Sequence, residues 1–201
     1  MLECAKRNVY RSFMMTSLKS GFVRPRTTPT IVALTGFMGS GKTTVGRALA
    51  ALLEWKFVDL DELIERRESL AIREIFAQRG EAGFREIEHQ ALSEVLAEYS
   101  RPTVIALGGG AFVQPNNAEL LGREHIRTVF LDAPVEELLR RCGTAVDPDG
   151  ENARPLAVDE ASFRKLYEQR TPLYRKASLI VNSEGKDARS VARIVVEELH
   201  L

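Results

Sequence analysis

A chain of 201 residues with 44% hydrophobic and 28% charged residues is long enough to bury a core without the help of disulfides. Its 28 basic residues balance 28 acidic ones, which excludes any electrostatic argument for nucleic acid or a membrane surface as a partner, and no apolar run approaches the ~20 residues of a membrane span. Two cysteines, Cys4 and Cys142, show no metal-ligand spacing and read as reduced thiols of a cytoplasmic protein.

Residues 1–29 differ from the rest, carrying Lys6, Arg7, Arg11, Lys19, Arg24 and Arg26 against a single acid, Glu3. They are expected to form a disordered basic tail ahead of one domain over 30–201; a transit peptide or an upstream start codon explains the same composition. Met14 and Met15 offer alternative starts.

The domain opens at Ile31 with a run of mostly apolar residues that reads as a strand, followed by the Gly-rich GFMGSGKT. Gly36, Gly39 and Gly41 let the backbone wrap closely enough for its N–H groups to face a polyphosphate. The helix beginning near Lys42 adds its positive end, the lysine reaches the outer phosphates, and the Thr43 hydroxyl suits Mg2+. This is the phosphate-binding loop G-x-x-x-x-G-K-[ST], with Gly39, Ser40, Gly41, Lys42, Thr43 and Thr44 as nucleotide-binding candidates and ATP or GTP as the ligand. Val45, Leu49, Leu52 and Leu53 then follow helical spacing.

KFVDLD reads as a second strand ending in Asp59 and Asp61. One carboxylate can hold the hydration shell of a magnesium ion beside Thr43 while the other accepts a proton from a hydroxyl nucleophile. Equally, both can serve as N-terminal acids of the helix DELIERR. In GEAGFREIE, Glu88 lies three residues after Arg85 and can orient its guanidinium toward a carboxylate; taken alone, the pair reads as an ordinary solvated ion pair.

PTVIAL, IRTVFL and SLIV supply three more strands, separated by helical segments such as EAGFREIEHQALSEVLAEY and DARSVARIVVEEL. Five strands alternating with helices predict an α/β fold, a parallel sheet covered on both faces, with the ligand site at the carboxyl ends of the strands. Gly108, Gly109 and Gly110 sit at such an end, where consecutive glycines permit close approach of a substrate or a phosphoryl group. CGTAVDPDGENARPLAV, rich in turn formers, predicts a mobile lid that brings Arg154 over the phosphates. Arg170, in YEQRTPLYRKA, is another fork-shaped donor, although an isolated arginine of either kind is more often a solvated surface residue. His89, His125 and His200 carry no motif, and Trp55 and Tyr99 read as partly buried core.

Taken in order, GFMGSGKT, DLD, GEAGFREIE, LGGGA, ARPL and EQRTPLY closely resemble shikimate kinase over about residues 30 to 200. The resemblance implies a three-layer P-loop kinase fold and transfer of the ATP γ-phosphoryl group to the 3-hydroxyl of shikimate, a step toward chorismate and the aromatic amino acids. It further implies that Lys42, Asp61 and Arg154 are catalytic, Asp61 meeting the ring hydroxyls near the attacking oxygen. Arg85 and Arg170 would hold the shikimate carboxylate, with Gly108, Gly109 and Gly110 lining the pocket. Asp59 would act on Mg2+ through water, beside Thr43, and Arg141 would lie along the adenine. A monomer is expected. The nearest rivals are another small-molecule kinase, such as a gluconate kinase, and a regulatory protein that keeps nucleotide binding without catalysis.

Overall fold

The computed structural model describes residues 30–98, 101–144 and 159–201. The basic tail, Tyr99 and the segment holding Arg154 lie outside these, and with them the expectations of a disordered N-terminus and a mobile lid.

Five parallel strands, β1 (Ile31–Thr35), β2 (Lys56–Asp59), β3 (Thr103–Ala106), β4 (Ile126–Asp132) and β5 (Leu179–Asn182), form one sheet in the order β2-β3-β1-β4-β5. β1 is central and buried throughout, which explains its unbroken apolar run: a strand covered on both faces has no solvent side to make polar. Its alternate residues divide the core. Ile31 and Ala33 face one layer with Ile105 and Phe130, while Val32 and Leu34 face the other with Val104 and Val129.

On the second of these faces lie α1 (Lys42–Leu53) and α7 (Ala188–Leu199), through Val45, Leu49, Val191 and Val195. The first is covered by α2 (Leu60–Glu68), α3 (Ile72–Glu98), α4 (Pro115–Leu121), α5 (Val135–Thr144) and α6 (Glu160–Tyr174). One expectation fails here: Leu52, placed by spacing on the apolar face of α1, is 51% exposed. The α1 face is already filled by Val45, Leu49 and Ala50, and Leu52 falls beyond its edge.

α3 begins well before the segment the periodicity marked out and is broken at Gly80, whose φ of 67° and ψ of −179° suit glycine alone. α6 continues through Pro172, so its C-terminal turn carries Arg170 and the fully buried Tyr174 within one rod. Ile31 pairs with both Thr103 and Ile126, and Asp59 with Ala106, so the carboxyl ends of the inner strands emerge together. The segments that follow them meet at that edge.

Candidate active site

The loop between β1 and α1 keeps positive φ at Gly36 (147°), Gly39 (78°) and Gly41 (88°). A side chain at Gly36 would also meet Ser40 Oγ at 2.8 Å and the Leu131 carbonyl at 2.9 Å. Gly41 caps α1 without any side-chain hydrogen bond, and no acid occupies its first turn. By contrast α2, α6 and α7 are capped by Asp59, Asp159 and Asp187. The positive end of α1 is therefore left to an external anion.

Lys42 departs from expectation. A loop lysine of this kind reads as facing solvent, yet it is 7% exposed, and its Nζ donates to the carbonyls of Gly36 and Phe37 at 3.0 Å each. The closed curve of the loop turns these carbonyls inward, and a buried ammonium needs such acceptors. Lys42 thus braces the loop as well as facing its phosphate side.

The two acids after β2 separate clearly. Asp59 is buried; its Oδ1 accepts from the backbone N–H groups of Asp61 and Glu62, capping α2, while its Oδ2 accepts from Thr43 Oγ1 at 2.6 Å. The helix cap and the contact with Thr43 coexist in one carboxylate because its two oxygens face different elements. Asp61 lies one residue into α2, and its Oδ1 would stand 2.6 Å from a side chain at Gly108. Asp61 is therefore turned toward the glycine segment and Asp59 toward the phosphate loop.

Around that segment gather the remaining candidates. Arg85 Nη1 donates to Glu88 Oε2 at 2.8 Å and Nη2 to Glu81 at 3.2 Å. The solvated ion pair expected of Arg85 and Glu88 is instead interior: the Glu88 side chain is 1% exposed and that of Arg85 14%. Burial pushes the Glu88 carboxyl above its ordinary value despite Arg85, whereas the charges of Glu88 and Glu81 raise Arg85 although burial opposes them. A side chain at Gly110 would displace the Arg85 guanidinium, since a Cβ would lie 2.5 Å from Arg85 Nη1 and Nη2.

Arg170 reaches the same place from α6, its Nη1 donating to the Gly109 carbonyl at 3.2 Å, and the Tyr174 hydroxyl donates to that same oxygen. α6 is held there by edge-on contacts of Phe37 with Phe163 and Tyr167, and by Tyr174 stacked on Phe130. The glycines thus accommodate side chains from three helices.

A cleft of about 620 Å3 runs from Asp61 past Thr43, Thr44 and the phosphate loop to Arg141. Arg141 donates to Glu137, to the Gly39 carbonyl and to the Ser183 carbonyl. Hydrogen bonds from Arg140 and Arg141 hold the Glu137 carboxyl down to about 2. The cleft also includes Ser183, Gly185 and Lys186, which motif reading missed. Their signal was positional, because they follow the carboxyl end of β5. The three histidines stay outside the cleft, and Trp55 packs partly buried beside the α1–α7 layer.

Residues 38–200 match the shikimate kinase family model. The chain belongs to the shikimate kinase family. It is 41% identical over 173 residues to the shikimate kinase of Moorella thermoacetica, covering 85% of this chain and 95% of that one. A shikimate kinase from Acinetobacter baumannii, solved in complex with shikimate, superposes with a TM-score of 0.77 at 38% identity, covering 87% of this chain and 94% of that one. A gluconokinase from Sinorhizobium meliloti has a TM-score of 0.56 at 15% identity, covering 86% of this chain and 93% of that one, a likeness of fold alone. A family of kinases has ATP as its co-substrate, and the parallel sheet with helices on both faces is the family's P-loop fold. No helix among the described residues is long and apolar enough to cross a membrane.

Proposed function

We propose that this chain transfers the γ-phosphoryl group of ATP to the 3-hydroxyl of shikimate. The observation that carries the reading is the convergence of Arg85 and Arg170 on the Gly109–Gly110 turn, with Asp61 beside Gly108 and the phosphate loop across the cleft. Two guanidiniums suit a carboxylate, an acid suits hydroxyls, and a cyclic hydroxy acid carries both. The relatives' names and the shikimate held by the Acinetobacter baumannii enzyme support the same acceptor.

In this reading the loop amides and the uncapped end of α1 hold the phosphates, with Lys42 on the outer ones. Arg141 fits the adenine side of the cleft, where it ties Gly39 to Ser183. Thr43 and Asp59 form an all-oxygen pair suited to Mg2+, an ion that keeps most of its waters and needs few protein ligands. The ion would supply charge neutralisation to the transferring phosphoryl group. Arg85 and Arg170 fix the acceptor by its carboxylate, and Asp61 orients the hydroxyl and accepts its proton as the new O–P bond forms and ADP leaves. Arg154, outside the described residues, is assigned to the phosphates by the family resemblance alone.

All these residues come from one chain, so a monomer suffices. A cytoplasmic setting belongs to the same reading, since Cys4 and Cys142 give no disulfide framework. A coupled ADP-release assay tests it: turnover is expected with shikimate and not with gluconate or without acceptor. Equal turnover in all three would overturn it.

A further inference from the structure

Glu88 is 0% exposed, yet only one of its oxygens is engaged. Oε2 accepts from Arg85, while Oε1 has no hydrogen-bond partner, nor has the buried Nε of Arg85. A buried polar atom left without a partner is costly, and in a functional cleft it marks a place where a proton or a ligand completes the pairing. Oε1 lies on the Gly108 side: a Cβ at Gly108 would stand 2.9 Å from it and 2.6 Å from Asp61 Oδ1. Two acidic oxygens therefore approach one small patch of backbone.

Among the described residues, the charges facing Glu88 come from three helices. They are Arg85 and, beyond it, the exposed Glu81 on α3; Asp61 on α2; and Arg170 on α6. The neighbouring His89 is turned to Asn117 of α4, and the glycine segment offers no titratable group. Close to Glu88, the guanidiniums of Arg85 and Arg170 thus stand beside the carboxylates of Glu88 and Asp61. An acceptor carboxylate bound between Arg85 and Arg170 adds a third negative charge and draws on the guanidinium that now serves Glu88.

Resting on the proposed acceptor, we infer that shikimate binding is coupled to uptake of one proton by Glu88. The proton comes from solvent and goes to a Glu88 carboxyl oxygen, so Glu88 adds no negative charge beside the acceptor carboxylate. Arg85 is thereby released to the acceptor without leaving an unpaired buried anion. Glu88 is a positioning residue: it acts on the acceptor through Arg85. Its already raised affinity for a proton, set by burial and opposed by Arg85, agrees with this, because sharing Arg85 weakens the main force that keeps Glu88 ionised.

Titration calorimetry of the full chain with shikimate decides the matter, run in buffers of different ionisation enthalpy from about pH 5.5 to about pH 8.5. Net uptake is expected to approach about one proton within this range, with affinity weakening by up to about tenfold per pH unit as pH rises. In Glu88→Gln, which keeps the shape and carries no titratable charge, uptake should vanish and the affinity should become flat with pH. Shikimate binding without buffer-dependent heat at any pH overturns the coupling and leaves the functional reading intact. Uptake that persists in Glu88→Gln also overturns it, by assigning the proton elsewhere. Absence of shikimate binding to the wild-type chain defeats both readings. The wild-type measurement stands even if the variant folds poorly.

Discussion

The two halves of the proposed site are built differently. The nucleotide half is nearly contiguous in sequence, a single turn from Gly36 to Thr44 that Lys42 braces with hydrogen bonds to carbonyls of the same loop. The acceptor half is assembled at a distance: Asp61 comes from α2, Arg85 and Glu88 from α3, Arg170 from α6, and all lean on glycines that follow β3. A local turn carries its geometry in its own backbone angles. An assembled site exists only once the sheet and three helices have packed, so its residues depend on neighbours far along the chain.

Substitutions can separate the two halves. The largest effect is expected for Asp61→Asn, which keeps the shape and loses the proton acceptor: kcat should fall by about 10^2 to 10^4 while nucleotide affinity stays within a few-fold. Steady-state kinetics with nucleotide titration checks this, and loss of nucleotide binding would place Asp61 in the other half. Lys42→Ala should lower kcat by about 10^2 to 10^3. Because Gly36 and Phe37 lose a buried donor, it should also cost about 1–3 kcal/mol in urea unfolding. An unchanged unfolding midpoint would show that the loop does not lean on its lysine.

Arg170→Ala should weaken acceptor binding by about 2–5 kcal/mol and leave the KM for ATP nearly unchanged. The glycines offer a finer test. Gly110→Ala drives a methyl into the Arg85 guanidinium, costing about 1–3 kcal/mol read mainly as a higher acceptor KM. Gly109→Ala meets nothing closer than 3.9 Å and should be milder. Equal effects would mean that Arg85 is not seated on Gly110.

The smallest effect expected is on stability against pH. The folded-state pKa of Glu88 is raised above its ordinary 4.5, so the folded state binds this proton more tightly than the unfolded state. Its contribution is fully present below 4.5 and is lost as pH rises through the folded-state pKa. Urea midpoints measured from the acid side upward should therefore decline more in the wild type than in Glu88→Gln. Parallel curves would show that Glu88 titrates alike in both states.

Legibility in the sequence follows the same division. The phosphate loop, the five strands and the acid pair could be read because each signal sits within a few adjacent residues. What Asp59 and Asp61 each do could not be separated from spacing, since it depends on Thr43 reaching one carboxylate and Gly108 lying beside the other. The interior setting of Glu88 was likewise hidden: a charged pair at i,i+3 looks the same whether solvent or the rest of the protein covers it. The burial of Lys42 could not be read because its acceptors are main-chain carbonyls, which no residue pattern displays.

One consequence of the strand order concerns how the enzyme would fail. The phosphate loop grows from β1, which is paired on both sides and wholly buried, so its amides should exchange with solvent only when the whole domain opens. Destabilising substitutions elsewhere should therefore reduce the number of competent molecules, and each molecule that remains folded should turn over at its full rate.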